Sequence, residues 1–193
     1  STRDVEVGVR RIHVAEFGAG DPVLLLHGGG PGANGLSNYA RNIDALATRF
    51  RVLVPDMPGY GQSTKGLSVD DPFGDLATAM IGLLDVLDIP RAHVVGNSLG
   101  GACALRMALQ QPQRVGRLVL MGPGGIDISG APPTDGLKRL LTYYLGEGPT
   151  FDKLRTFAAR ALVINNTPAA RAAIDDGRRS RHAAVRAACG VGP

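Results

Sequence analysis

Val5, Val7 and Val9 alternate with charged or small residues, and Ile12, Val14 and Phe17 form a second run close behind. A period of two marks strands with one covered face, so the chain opens on two antiparallel strands. Short continuous apolar runs follow at Val23-Leu24-Leu25-Leu26, Arg51-Val52-Leu53-Val54, His93-Val94-Val95 and Leu118-Val119-Leu120-Met121. Runs of that kind fit strands covered on both faces. Between them the period lengthens. Phe73, Leu76, Ala77, Met80, Leu84 and Leu87 recur at steps of three and four, and Pro90 stops the helix they predict. Leu99 to Gln111 is rich in Ala, Leu and Met and ends before Pro112. Strands alternating with helices make βαβ units, hence an α/β fold on a mostly parallel sheet flanked by helices.

After Pro132-Pro133 the strand pattern stops. Leu137–Leu145 and Phe151–Leu162 read as amphipathic helices, the second with Phe151, Leu154, Phe157, Ala158, Ala161 and Leu162 on one face. Residues 168–193 are rich in Ala, Arg and Gly without an apolar period, and are expected to be poorly ordered. The expected divisions are an α/β core at 1–125, a helical segment at 126–167 and a divergent tail at 168–193.

The pI near 9.4 points toward nucleic acid until the charge is located. From Pro168 onward five arginines face only Asp175 and Asp176, so the tail holds +3 of the net +4 and residues 1–167 carry +1. A nearly neutral body without a basic stripe argues against a nucleic-acid partner. No apolar stretch reaches the length of a membrane span, and the N-terminus lacks the charged-then-apolar order of a secretory signal. Cys103 and Cys189 show no metal-ligand spacing, and Cys103 fits a buried helix position as a small core residue. The expectation is a cytoplasmic protein with neither metal nor cofactor.

Chemistry concentrates at Val94-Val95-Gly96-Asn97-Ser98-Leu99-Gly100-Gly101. The bare Gly-x-Ser-x-Gly pattern is weak, but here an apolar strand precedes it and a helical run follows. That context places Ser98 on a sharp strand-to-helix turn, the nucleophile elbow of a serine hydrolase. The alternative is a Ser/Gly turn without chemistry. An oxyanion formed on attack needs two donors: the N–H of the residue after the serine, Leu99, and one from a glycine-rich loop after an early strand. His27-Gly28-Gly29-Gly30-Pro31-Gly32 fits that loop. Its alternatives are a flexible turn or a phosphate loop, and the latter lacks the lysine and hydroxyl it requires.

The motifs together resemble an α/β-hydrolase of the meta-cleavage product hydrolase group, carbon–carbon bond hydrolases of aromatic and steroid ring degradation. The resemblance rests on residues 25–33 (Leu-Leu-His-Gly-Gly-Gly-Pro-Gly-Ala), 36–42 (Leu-Ser-Asn-Tyr-Ala-Arg-Asn) and 56–63 (Asp-Met-Pro-Gly-Tyr-Gly-Gln-Ser). It extends to the elbow at 95–101 and to Arg-Leu-Val-Leu-Met-Gly-Pro-Gly-Gly at 117–125, and covers roughly residues 5–165. It implies an α/β-hydrolase fold with the start of a helical lid at 126–167. The implied reaction is hydrolysis of a 2-hydroxy-6-oxo-hexa-2,4-dienoate to 2-hydroxypentadienoate and a carboxylic acid. By match Ser98 is the nucleophile, and Gly29 and Leu99 are the oxyanion donors. Asn38 and Asn97 contact the dienoate, and Gly28 and Gly30 line the pocket. Homo-oligomers are possible by the same resemblance. Two alternatives stay open: Asn38 could cap the helix after Ser37, and Asn97 could serve the strained backbone of the elbow. Asp56 with Gly59 and Gly61 reads as a loop-shaping element.

The chain also departs from the family. Elbow hydrolases place an acid and then a histidine after the serine. Downstream of Ser98 the only histidine is His182, set among Arg179, Ser180 and Arg181, which reads as a solvated tail residue. His27 and His93 precede the serine and read as structural. A lid arginine falls nearest Arg178, but its surrounding motif is absent and no role is carried over. These departures predict a truncated or frame-shifted family member lacking the triad acid and base, with an open edge on the Leu118–Met121 strand. A carboxylesterase on the same fold and a non-catalytic ligand-binding protein are the alternatives.

Overall fold

The computed structural model describes residues 1–30 and 32–125, together with Lys138, Thr142, Thr150 and Lys153. Residues Ser1–Ile126 and Asp127–Pro193 form two compact units. In the first, strands β1 (Thr2–Val7), β2 (Arg10–Phe17), β3 (Asp21–Leu26), β4 (Phe50–Pro55), β5 (Ala92–Asn97) and β6 (Val115–Met121) make one sheet. Helices α1 (Gly35–Ala47), α2 (Pro72–Val86) and α3 (Leu99–Gln110) flank it. The strand order is β1-β2-β4-β3-β5-β6. The β1–β2 and β2–β4 pairs are antiparallel, and β3–β4, β3–β5 and β5–β6 are parallel.

Central position explains the continuous apolar run of β3. Val23 and Leu25 pack with Tyr39 and Ile43 of α1 on one face. Leu24 and Leu26 pack with Leu76, Met80 and Leu84 of α2 and Met107 of α3 on the other. Leu24, Leu25 and Leu26 are completely buried, each contributing about 1.5–3 kcal/mol of transfer free energy. Asp71 caps α2 by accepting the Gly74 N–H at 2.9 Å, with Pro72 in the first helical position. The first turn is also tied to β2 through a two-pronged Arg10–Asp75 pair at 2.8 and 2.7 Å.

Two expectations change and one open alternative closes. Val9 is fully exposed, because Gly8 at φ +59 and Val9 form the two-residue turn between β1 and β2 and the strand ends at Val7. Asn34, not Asn38, caps α1. Its side chain accepts the Ser37 N–H at 2.8 Å, and the Ser37 hydroxyl accepts the Asn34 N–H at 3.2 Å. In β6 the apolar run is covered on one face only: Val119 is 50% and Met121 41% exposed, while Leu118 and Leu120 pack on the core. Among the described residues no strand lies beyond β6.

In the second unit Lys138 and Thr142 are helical, and the Thr142 hydroxyl donates to the Lys138 carbonyl at 2.9 Å. The rest of the expected helices Leu137–Leu145 and Phe151–Leu162, and all of 168–193 with Arg178, His182 and Cys189, lie outside the described residues.

Candidate active site

Register builds the site. Leu26 of β3 pairs with Gly96 of β5, so the segments leaving those strands start side by side at the carboxyl end of the sheet. Open parallel sheets gather their ligand-binding loops at that end. One segment is the triple-glycine loop and the other is the elbow.

Ser98 sits between β5 and α3 with φ 51° and ψ −110°. A non-glycine residue there costs about 1–3 kcal/mol of backbone strain. Close approach makes two neighbouring glycines obligatory. A side-chain carbon at Gly96 would overlap the Gly100 carbonyl oxygen, and one at Gly100 would overlap the Leu26 carbonyl oxygen. Ser98 occupies the cap position of α3, yet its hydroxyl makes no cap hydrogen bond and the residue is exposed. A serine that capped the helix would have its oxygen engaged by backbone N–H groups. Here the strained turn leaves it open, over a helix N-terminus that favours developing negative charge.

The triple-glycine loop comes up against this serine. A side-chain carbon at Gly28 would lie 3.6 Å from Ser98 Cβ, and one at Gly29 would lie 3.6 Å from Leu99 Cβ. Among the described residues neither the Gly29 nor the Leu99 N–H has a hydrogen-bond acceptor. Gly30 turns the loop away with φ +128°, and its carbonyl accepts the Ala33 N–H at 3.1 Å.

Asn38 reaches the loop from α1. Its carboxamide oxygen accepts the Gly28 N–H at 2.8 Å and an Asn97 Nδ2 hydrogen at 3.1 Å. The backbone donor identifies the Asn38 atom as oxygen, and that in turn makes the facing Asn97 atom nitrogen. Neither open alternative holds: Asn38 caps nothing, and the left-handed residue is Ser98 rather than Asn97. Gly28, Asn38, Asn97 and Ser98 are thus brought together, with Gly29 and Leu99 beside them and Gly30 outside the group.

His27 lies under the loop, buried. Its Nε2 accepts the Met57 N–H at 3.0 Å, which places the ring proton on Nδ1, where it is donated to the Gly28 carbonyl at 2.8 Å. Carbonyl and N–H of one trans peptide point in opposite directions, so this bond turns the Gly29 N–H away from the imidazole. Burial holds the His27 pKa below the ordinary imidazole value. Tyr39 supports the same corner, its buried hydroxyl donating to the Leu26 carbonyl at 2.8 Å, and burial raises its pKa. His13 pairs with Asp4 at 2.7 Å, and His93 Nδ1 accepts the Arg117 N–H at 2.9 Å. Each described histidine is therefore engaged away from Ser98. Asp56 is loop-shaping, accepting the Gly35 N–H at 2.9 Å and the Gln62 N–H at 2.8 Å.

Sequence reasoning gave Tyr60 no role. Its ring meets His27 edge-on at 5.2 Å, and its hydroxyl would lie 3.2 Å from a side-chain carbon at Gly29. The Pro58-Gly59 turn ahead of it was the available signal. No metal-ligand cluster occurs among the described residues, and no described helix is long and apolar enough to cross a membrane.

Comparison with known proteins identifies the fold and its relatives. The sequence profile of the alpha/beta hydrolase fold matches residues 21–161. A 2-hydroxy-6-oxo-6-phenylhexa-2,4-dienoate hydrolase of Burkholderia cepacia is 47% identical over 138 residues, covering 69% of this chain and 48% of that protein. A 2-hydroxy-6-oxononadienedioate/2-hydroxy-6-oxononatrienedioate hydrolase of Comamonas testosteroni is 46% identical over 149 residues, covering 75% and 51%. The chain spans about half the length of the curated relatives it matches. Among solved structures, a serine hydrolase from the polyaromatic hydrocarbon-degrading bacterium Cycloclasticus zankles superposes with a TM-score of 0.77 at 29% identity, over 96% of this chain and 65% of that one. A meta-cleavage product hydrolase from Pseudomonas fluorescens gives 0.71 at 29% identity, over 90% and 62%.

Proposed function

The chain belongs to the alpha/beta hydrolase fold family, and from that premise we propose that it carries the nucleophile half of a carbon–carbon bond hydrolase acting on 2-hydroxy-6-oxo-hexa-2,4-dienoates. One observation carries the reading. Ser98 is exposed on a strained turn, with two N–H groups, of Gly29 and Leu99, left without acceptors beside it. The names of the relatives supply the substrate class.

In this mechanism the dienol ketonises, and the Ser98 oxygen adds to the C6 carbonyl while its proton passes to a base. The C6 oxygen becomes an oxyanion held by the Gly29 and Leu99 N–H groups. Its collapse breaks the C5–C6 bond, and C5 takes a proton as 2-hydroxypentadienoate leaves. Water then releases the carboxylic acid from the serine. Asn38 presents an Nδ2 group and Asn97 a carboxamide oxygen without described partners, suited to the polar end of the dienoate. Gly28 lines the pocket, and Gly30 turns the loop that carries it. Each described histidine is engaged elsewhere, so no described histidine serves as that base. Without one the serine hydroxyl is a weak nucleophile, and oxyanion donors with binding alone leave on the order of 10³–10⁴-fold acceleration over water.

The same reading includes a helical lid at 126–167, a divergent tail at 168–193, a cytoplasmic location and a place in aromatic or steroid ring breakdown. Self-association is decided by light scattering.

The test is labelling of the full chain with a fluorophosphonate, followed by incubation with a 6-phenyl dienoate whose absorbance falls on cleavage. One label per chain, lost in Ser98→Ala, together with dienoate turnover supports the reading. Hydrolysis of simple esters with an untouched dienoate assigns a carboxylesterase instead. Dienoate binding with neither label nor turnover assigns a non-catalytic binding protein.

A further inference from the structure

The run Met121-Gly122-Pro123-Gly124-Gly125 contributes to the family resemblance but has had no task, and its contacts supply one. Ser98 donates its N–H to the Met121 carbonyl at 2.9 Å, and Gly124 donates its N–H to the Ser98 carbonyl at 2.9 Å. The peptide groups on both sides of the serine Cα are therefore tied to one short segment. The Ser98 carbonyl also accepts the Ala102 N–H at 3.1 Å, the first bond of α3. Helix formation thus uses one lone pair of that oxygen and Gly124 takes the other.

Packing holds the segment in place. A side-chain carbon at Gly101 of α3 would stand 2.8 Å from both Cα and Cβ of Pro123. One at Gly125, where φ is +74°, would stand 3.0 Å from the Phe73 ring at the start of α2. Nothing larger than glycine fits at Gly101, and at Gly125 the positive φ and the close Phe73 ring both disfavour a side chain, so the segment is wedged between the two helices.

The Ser98 carbonyl and the Leu99 N–H belong to the same peptide plane. All peptides among the described residues are trans, so the N–H points opposite to the carbonyl. Whatever fixes the carbonyl direction also aims the donor. We infer that Gly124 is a positioning residue of the oxyanion hole: its N–H holds the Ser98–Leu99 peptide plane, and with it the left-handed turn that presents the serine. Without that bond the carbonyl keeps only its helical partner, and the plane is free to rock as the strain at Ser98 relaxes. The inference rests on the reading of Leu99 as an oxyanion donor.

Two substitutions separate the bond from the space around it. Gly124→Ala keeps the N–H, and its methyl would meet the Ser98 carbonyl oxygen at 3.6 Å, an ordinary contact. Gly124→Pro removes the N–H. In the full chain, Gly124→Ala should be labelled by fluorophosphonate within about twofold of the unsubstituted rate. Gly124→Pro should lose about tenfold or more in the rate at saturating probe, with the half-saturating concentration unchanged. A purely structural role would instead lower the labelled fraction. NMR supplies a readout independent of chemistry. The Gly124 amide should be protected from hydrogen exchange, and Ser98 should show the strong intraresidue amide–α-proton NOE of a positive φ, weakened in Gly124→Pro. Equal labelling of the two folded variants overturns the inference, and so does a freely exchanging Gly124 amide, which decides the matter even if the proline variant does not fold. If the unsubstituted chain takes no label, Ser98 is not activated in this chain and the reading of it as a working nucleophile falls. Gly124 exchange and the shift of the Leu99 amide resonance between the variants still decide the clamp.

Discussion

Replacing Asn38 by alanine tests the polar corner beside Ser98 most sharply. Two bonds converge on the Asn38 oxygen, from the Gly28 N–H at 2.8 Å and from Asn97 Nδ2 at 3.1 Å. Gly28 is buried, so its orphaned N–H costs about 1–3 kcal/mol. Asn97 is half-buried and can turn its amide to water, so that loss is smaller, about 0.5–1.5 kcal/mol. Alanine is the better helix former at this position inside α1, which returns up to about 0.7 kcal/mol. The net expectation is a loss of roughly 1–4 kcal/mol. Urea unfolding of the full chain followed by far-UV circular dichroism measures it, with the midpoint falling and the slope unchanged. Asn38→Asp keeps an acceptor for both donors and should recover most of the loss. The Asn38→Ala/Asn97→Ala cycle should show coupling of at least about 0.5 kcal/mol, because the two side chains share a bond. A loss below about 0.5 kcal/mol in Asn38→Ala, or strict additivity in the cycle, refutes the claim that these bonds hold the loop against the elbow.

Three further outcomes are expected. His27 must stay neutral for Nε2 to accept the Met57 N–H, and burial lowers its pKa from 6.5. As pH falls below that value the unfolded chain takes up the proton first, so this contribution is full above it and is lost on acidification toward the folded pKa. Urea midpoints should therefore drop more steeply with acidification in the unsubstituted chain than in His27→Gln, and equal slopes contradict the assignment. Gly100→Ala drives a methyl into the Leu26 carbonyl oxygen. It should cost about 1–3 kcal/mol by thermal unfolding and abolish fluorophosphonate labelling; a stable, fully reactive variant counts against the elbow packing. Cys103 is buried and burial raises its thiol pKa. Peptide mapping after iodoacetamide treatment should find it unmodified in the folded chain and alkylated in urea, and rapid native alkylation opposes the core assignment.

Strands and helices were legible because their periods arise within a few residues. Val23–Leu26 reads as a doubly covered strand, and β3 buries its alternate residues against α1 on one side and α2 and α3 on the other. The sequence left open whether Asn38 caps a helix, and the reciprocal bond of Asn34 with Ser37 closes that alternative. Leu118–Met121 looked like Val23–Leu26 in composition, but a continuous apolar run says nothing about whether anything lies against its second face.

Sequence alone determined that a serine would stand between a strand and a helix, because glycines at 96 and 100 leave room for a turn that bulkier residues would block. It also determined that a glycine-rich loop would follow an early strand. Tertiary structure decided that these two segments meet. Residues 28 and 98 are brought together by the pairing of β3 with β5, and Asn38 reaches Gly28 and Asn97 only because α1 packs across that junction. Periodicity is set by covalent geometry within a turn or a pleat. Which strand lies beside which is set by burial across the whole sheet, and only that order places donors, amides and hydroxyl around one point.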